Sequence, residues 1–261
     1  MAIMSENTRY LSDRKVIAIT GPETRDFLQR VITTDMKLCT PGSLLPGALL
    51  TPQGKIICDF LIHGVEDGVR IEVFADAAEA LIKRLSLYRL RAKAEISLAD
   101  DLHVVTGTGA ADPRSDTLPP RAILAERPAT DGVADQARQE IASGTPAFGR
   151  DYGEADVFPT DVNLDLYGGI GWRKGCFIGQ EVLSRMKRRG TIRKRSVRVE
   201  GEGLEAGQDI LAGGKPVGTL TSASGSHAVG LVRIDRLETA NAAPAVSDHP
   251  VRITLPDGLE D

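Results

Sequence analysis

The chain has 261 residues, 41% of them hydrophobic and 26% charged, with a formal net charge of −4. That length can bury a sizeable core, and the balance of apolar and charged residues excludes a disordered chain and a coiled coil. No apolar run follows a basic patch at the start, and no stretch reaches the roughly 18 consecutive apolar residues of a membrane span, so a soluble, cytoplasmic protein with no membrane attachment is expected.

Val16 to Thr20 (VIAIT) reads as a strand running into GPETRDFLQRVIT, where Pro22 suits a first helical turn and Phe27, Leu28 and Val31 fall at helical spacing. The stretch SLLPGALLTPQGKIICDFLIHGVEDGVRIEVFA predicts an antiparallel meander of three strands, turned at TPQGK and at EDG. Asp76 to Leu90 predicts an amphipathic helix with Asp76 at its start and Ala80, Leu81, Leu85 and Leu87 or Tyr88 along one side. AEISLAD and LHVVTGT read as short strands, Gly107 to Pro120 as a loop or weak boundary, RAILAE as a strand and DGVADQARQEIAS as a helix.

From Gly144 to Gly175 the chain is rich in Gly, Pro and aromatic residues without regular periodicity, which predicts an ordered functional loop. FIGQEVLSRMKRR then places Ile178, Val182 and Met186 at i, i+4, i+8 and pairs Glu181 with Arg185, as a short helix would. After Gly190 the segments are β-rich and separated by glycine turns, a barrel or sandwich of about seventy residues. The expected fold class is α+β: residues 1–190 as an α+β region with a sub-boundary near 107–120, and residues 191–261 as an all-β domain.

Three cysteines, Cys39, Cys58 and Cys176, lie far apart with no CxxC pair, which excludes a disulfide framework and a four-thiolate metal site within one chain; no resident metal is expected. In RKGCFIGQEVLSRM, Cys176 stands close to Arg173 and Lys174 and just before a helix start, and both features favour the thiolate. The competing reading is a small apolar residue packed under a loop. Gly175 and Gly179 allow positive φ or close backbone approach, or serve simply as turn residues. Gln180 and Glu181 are either capping partners of the helix or ligand contacts. His63, His103, His227 and His249 lie elsewhere in the sequence, and nothing local supports a Cys-His dyad. TPQGK lacks the spacing of a phosphate loop and reads as a hairpin turn.

Charge is unevenly spread: eight basic residues fall between Arg185 and Arg198, with no acid between Glu181 and Glu200. Aromatic residues make up only 4% of the chain and none interleaves this band, so no stacking platform for nucleic acid is present and no direct nucleic-acid partner is expected.

The block FPTDVNLDLYGGIGWRKGCFIGQEVLSRMKRRGTIRKR resembles the signature region of the YgfZ-type folate-binding proteins, a K-G-C-[YF]-x-G-Q-E motif after a loop containing N-L-D. The match is strong over roughly Gly144 to Arg195, and the strand-helix opening, TPQGKIICDF and the β-rich end agree in order and type. That family is similar in fold to the aminomethyltransferase (T protein) of the glycine cleavage system, so the resemblance implies a T-protein-like multi-domain folate-binding fold with a C-terminal all-β barrel. It further implies tetrahydrofolate or a polyglutamylated derivative as cofactor, and iron–sulfur client or assembly proteins, tRNA-modifying enzymes among the clients, as partners. On this basis Cys176 and Lys174 are expected to carry the chemistry, and Gly175, Gly179, Gln180 and Glu181 to belong to the site. Asp59, in GKIICDF, matches the place of a folate-facing acid; its other reading is a strand-end turn acid. Arg185 and the basic band could receive the glutamate tail or form a solvated face. An assembly factor is favoured over the alternative, a folate-dependent aminomethyl transferase, because such a transferase has no evident need for a cysteine at 176.

Overall fold

A computed structural model describes residues 6–259; the first five and last two residues of the two expected regions lie outside the described residues. The elements run β1 (Arg9–Tyr10), β2 (Arg14–Thr20), α1 (Thr24–Val31), β3 (Leu44–Leu50), β4 (Ile56–Val65), β5 (Gly68–Phe74), α2 (Ala78–Arg89), β6 (Glu95–Leu98), β7 (His103–Ala110), β8 (Arg121–Leu124) and α3 (Val133–Ser143). They continue with α4 (Gln180–Arg188), β9 (Lys194–Glu200), β10 (Asp209–Ala212), β11 (Lys215–Ser224), β12 (His227–Arg233), α5 (Ile234–Thr239), β13 (Pro244–Val246), β14 (His249–Pro250) and β15 (Arg252–Thr254).

The meander forms as its alternation demands. It builds a five-stranded antiparallel sheet in the order β3-β4-β5-β2-β6, with Ala48 opposite Asp59, Phe60 opposite Val73 and Ile17 opposite Ile71. Because strand side chains alternate faces, Ile17, Ile19, Phe60, Ile62, Ile71 and Val73 share one face and bury it under α1 and α2. The opposite face carries Asp59, Leu61 and Glu72, together with Ala48 and Leu50, and packs against the long loop of residues 144–179. A smaller sheet, β1-β7-β8, sits beside α3; of residues 107–120, the first four belong to β7 and the rest connect it to β8 within this one sheet. The last part is a seven-stranded antiparallel sheet, β14-β13-β10-β11-β12-β9-β15, closed around Val197, Val199, Ile210, Leu220, Ala228 and Val232.

Four local expectations are corrected. Pro22 precedes the first helix, which begins at Thr24 after Glu23. Asp76 lies in a single 3-10 turn, Ala75–Ala77, and no side chain caps α2. That helix buries Ala78, Leu81 and Leu85, while Ala80 is exposed, Leu87 is 69% exposed and Tyr88 37%. In α4 the fully buried residue is Leu183, with Val182 and Met186 only half-buried, and the half-buried Ile178 lies before the helix starts. The sequence reading also lacked α5, six residues whose polar IDRLET carries too short a pattern to register.

Candidate functional site

The alternation of β4 sends Asp59 to the inner face of the sheet, where the Tyr152 hydroxyl donates a 2.6 Å hydrogen bond to its Oδ2. Burial pushes the Asp59 carboxyl above the usual carboxylate range, against the opposing pull of that hydrogen bond and of Arg14. Asp59 is thus inside a strand and part of an inner cavity, not a turn acid at a strand end. Arg14, Leu61, Glu72, Arg114, Tyr152 and Tyr167 complete its walls, and its free volume of about 20 Å³ accepts about one water.

Arg114 and Tyr167 also line a second, open cleft of about 740 Å³ between the residues 111–117 loop, the end of α3, Asn163 and the barrel strands β9 and β15. This cleft has the size of a small-molecule site. Tyr167, whose hydroxyl is held high mainly by burial, stands beside Asn163 and Thr145 at the partition between the two spaces. Asn163 takes positive φ (62°), donates from Nδ2 to Ser196 O at 2.8 Å, and leaves Oδ1 buried without a hydrogen-bond partner.

Behind the cavity lies an ionic cluster that sequence reasoning missed. Arg121, 1% exposed, bonds Glu72, Asp112 Oδ2 (2.8 Å) and Glu140 Oε1 (3.2 Å). Arg114 joins Asp112 and Glu140 at 2.8 and 2.9 Å, and Arg150 reaches Glu140 Oε2 at 3.0 Å. Burial pushes the carboxyls of Glu72 and Glu140 up, but the guanidinium groups around them outweigh it and hold both at about 2. Asp151 extends the cluster to the barrel, accepting from Thr221 Oγ1 at 2.7 Å and Ser222 Oγ at 2.5 Å. The only sequence trace of this core is the charge inside Ile71-Glu72-Val73, which by alternation alone reads as a solvent-facing residue.

Of the three cysteines Cys176 alone is exposed; Cys39 and Cys58 are buried, and burial raises both of their thiol pKa values. Cys176 shares a shallow depression with Gln29, Arg30, Lys174, Phe177 and Ile178. Lys174 does not act as a free cation beside the sulfur. Its Nζ donates to Ile32 O at 2.7 Å and to Thr34 O, and burial lowers it to about 8 despite Asp35 nearby. Gln29 Nε2 completes the clamp, donating to Lys174 O at 3.3 Å and Asp35 Oδ1 at 3.0 Å.

Nor does Cys176 abut the helix, which starts four positions later at Gln180 with Gly179 as its cap. Gly179, at φ 80°, lies so close to the TPQGK turn that a Cβ there would meet Thr51 O at 2.8 Å and Gly54 Cα at 3.0 Å. The two sequence motifs are therefore packed together. Gly175, also at positive φ, is exposed with open space around it.

The remaining predicted residues do not converge on Asp59. Gln180 makes no side-chain cap, and the exposed Glu181 pairs with Arg185 at 3.0 Å, so neither fills the capping role considered from the sequence. None of Gly175, Gly179, Gln180, Glu181 and Arg185 lines the Asp59 cavity or the cleft. The basic band divides as well. Arg195 is buried on Asp165 (2.6 Å), Arg198 lines the cleft while bonding Glu200, and Arg185, Arg188 and Arg189 form a separate exposed group. Among the described residues no three His, Cys, Asp or Glu side chains are grouped to hold a metal ion, and no helix is long and apolar enough to cross a membrane.

Residues 193–261 match the model of the CAF17 C-terminal beta-barrel domain. The mitochondrial iron-sulfur cluster assembly factor IBA57 homolog of Neurospora crassa is 29% identical over 225 residues, covering 71% of this chain and 51% of the relative. That of Pyricularia oryzae is 30% identical over 214 residues, covering 71% and 55%, so the chain spans about half the length of these relatives. The mitochondrial IBA57 of Homo sapiens is 26% identical over 276 residues, covering 87% of this chain and 78% of the relative. The glycine cleavage system aminomethyltransferase T of Bartonella henselae superposes with a TM-score of 0.76 at 16% identity, over 95% of this chain and 84% of that one, a likeness of fold alone. The chain thus has the aminomethyltransferase T fold with a CAF17-type barrel at its C-terminal end, and over most of its length it is similar to IBA57 iron–sulfur cluster assembly factors.

Proposed function

We propose that the chain is an iron–sulfur cluster assembly or maintenance factor whose working thiol is Cys176, and not an enzyme with classical turnover. The observation that carries this reading is the exposure of Cys176 on a loop clamped by Lys174 and Gln29, while the other two cysteines are buried. A single thiolate cannot hold a cluster, so the remaining ligands come from a client or carrier protein, and the cluster is cargo. Similarity to IBA57 assembly factors supports the class of partner; tRNA-modifying clients and the YgfZ-type identity are finer parts of the same proposal. Cytoplasmic residence is also part of it, set against relatives named as mitochondrial, and cell fractionation decides it.

The test is Cys176→Ala in a deletion strain, read as cluster content of client enzymes with circular dichroism of the purified variant. Loss of client clusters with an intact fold is expected. Full complementation by the variant would remove Cys176 from the mechanism.

A second reading, tetrahydrofolate as ligand, rests on the Asp59–Tyr152 cavity and its neighbouring cleft. A pterin needs a carboxylate for its N–H edge, and Asp59 is that carboxylate; the cleft, with Arg114 and Arg198, suits the glutamate tail better than the distant Arg185 group. Entry requires Tyr167 to swing aside, since the cavity holds about one water. Titration with mono- and polyglutamyl tetrahydrofolate checks this reading, and no saturable binding would discard it. An aminomethyl transferase has only the fold in its favour.

A further inference from the structure

The run from Lys83 to Lys93 holds five cations, Lys83, Arg84, Arg89, Arg91 and Lys93, and no acid lies between Glu79 and Glu95. In the fold this run is the second half of α2 and the turn into β6, and its outward side carries the most exposed large apolar residues among the described residues, Leu90 at 83% and Leu87 at 69%, with Tyr88 beside them. Leu90 has left-handed φ (49°), a conformation unfavourable for a leucine. It is held there by a turn in which Ala92 N donates to Arg89 O and Arg89 Nη1 donates to Ala94 O, both at 2.9 Å. An apolar side chain is therefore fixed in water at a backbone cost, on a helix anchored from below by Leu81 and Leu85.

We propose that this end of α2, with β6, is a docking surface for an acidic segment of a partner protein. Charge supplies the first argument. Arg84 and Arg89 are engaged by Glu154 and Ala94 O, but Lys83, Arg91 and Lys93 have no side-chain partner among the described residues, so the surface selects negative charge. The same charge opposes a second copy of this chain, because a two-fold pairing would set these cations against themselves. The second argument is the neighbouring strand. β6 ends the five-stranded sheet, and among the described residues no strand pairs with its outer side. An extended segment can add to that edge while Leu87 and Leu90 fill a pocket on its owner, whereas a bilayer cannot satisfy an open strand edge.

The test places p-benzoylphenylalanine at Leu90 in living cells and identifies the photo-adduct by mass spectrometry. The captured protein is then purified and titrated against wild type, Leu87→Ser/Leu90→Ser and Arg91→Glu/Lys93→Glu. A partner with an acidic contact segment, bound at least tenfold more weakly by both double variants at unchanged melting temperature, is the expected result. The proposal is overturned by the absence of a protein adduct, by affinity indifferent to the charge reversal, or by flotation of wild type, but not the variants, with vesicles containing 30% phosphatidylglycerol.

Discussion

The Tyr152 hydroxyl and Asp59 Oδ2 are 2.6 Å apart, and this bond joins the long loop to the inner face of the first sheet. Its pH consequence has a definite sign. The folded carboxyl is raised above its unfolded value of 3.8, mainly by burial, so the folded state holds that proton more tightly, and stability falls as pH climbs from the unfolded to the folded pKa. Asp59→Asn is expected to keep the fold and to flatten that part of the stability profile in urea melts at stepped pH; an unchanged profile would contradict it. Tyr152→Phe leaves the acceptor unpaired and should destabilise by about 1–3 kcal/mol.

The ionic cluster titrates the other way. Glu72 and Glu140, held at about 2 against 4.5 unfolded, contribute stability present above pH 4.5 and lost as pH falls toward 2. Arg121→Leu leaves Glu72, Asp112 and Glu140 short of a partner in the interior and should cost about 3–5 kcal/mol. Chemical denaturation at pH 7 measures it, and a loss under about 1 kcal/mol would show the carboxylates to be hydrated.

Native-state labelling separates the cysteines. Iodoacetamide at neutral pH is expected to modify Cys176 rapidly and Cys39 and Cys58 only after unfolding, resolved by peptide mass spectrometry. Equal labelling of Cys58 in the native protein would refute the burial that raises its pKa.

Lys174 should behave as a clamp. Burial lowers its ammonium to about 8 from 10.5, so its charge weighs against the fold below pH 8, and that penalty disappears as pH rises from 8 to 10.5. Lys174→Met removes the bonds to Ile32 O and Thr34 O and should raise amide exchange in residues 173–179 with little change in global melting. Unaltered exchange there would deny the clamp.

Much of the architecture was legible because strand alternation and helical spacing are local: the meander, α1, α3 and the β-rich end all follow from them. The fold class, α+β with a C-terminal barrel, was carried by the motif as well as by the pattern. What was not legible depends on distant partners. The spacing around Cys176 placed Lys174 beside the thiol, but the ammonium turns to carbonyls about 140 positions earlier in the chain. Gly179 read as a ligand or turn glycine, and only the folded chain brings the TPQGK turn against it. The basic band looked continuous because sequence does not show which of its members, such as Arg195 on Asp165, are internal. Leu90 read as the last residue of the helix from Asp76, since periodicity cannot register its positive φ.

The ionic cluster gives synthesis an order. Glu72 leaves the ribosome 49 residues ahead of Arg121, and Glu140 and Arg150 follow later still. Until they emerge, the nascent first sheet has His63, at 3.2 Å in the finished protein, and the nearby Arg14 to face that carboxylate on its inner side, without the Arg121 ion pair. The five strands can pair early, but their inner face must stay wet until residues 112–151 arrive, so the N-terminal part of this protein cannot complete its interior during its own translation and waits for the chain that follows.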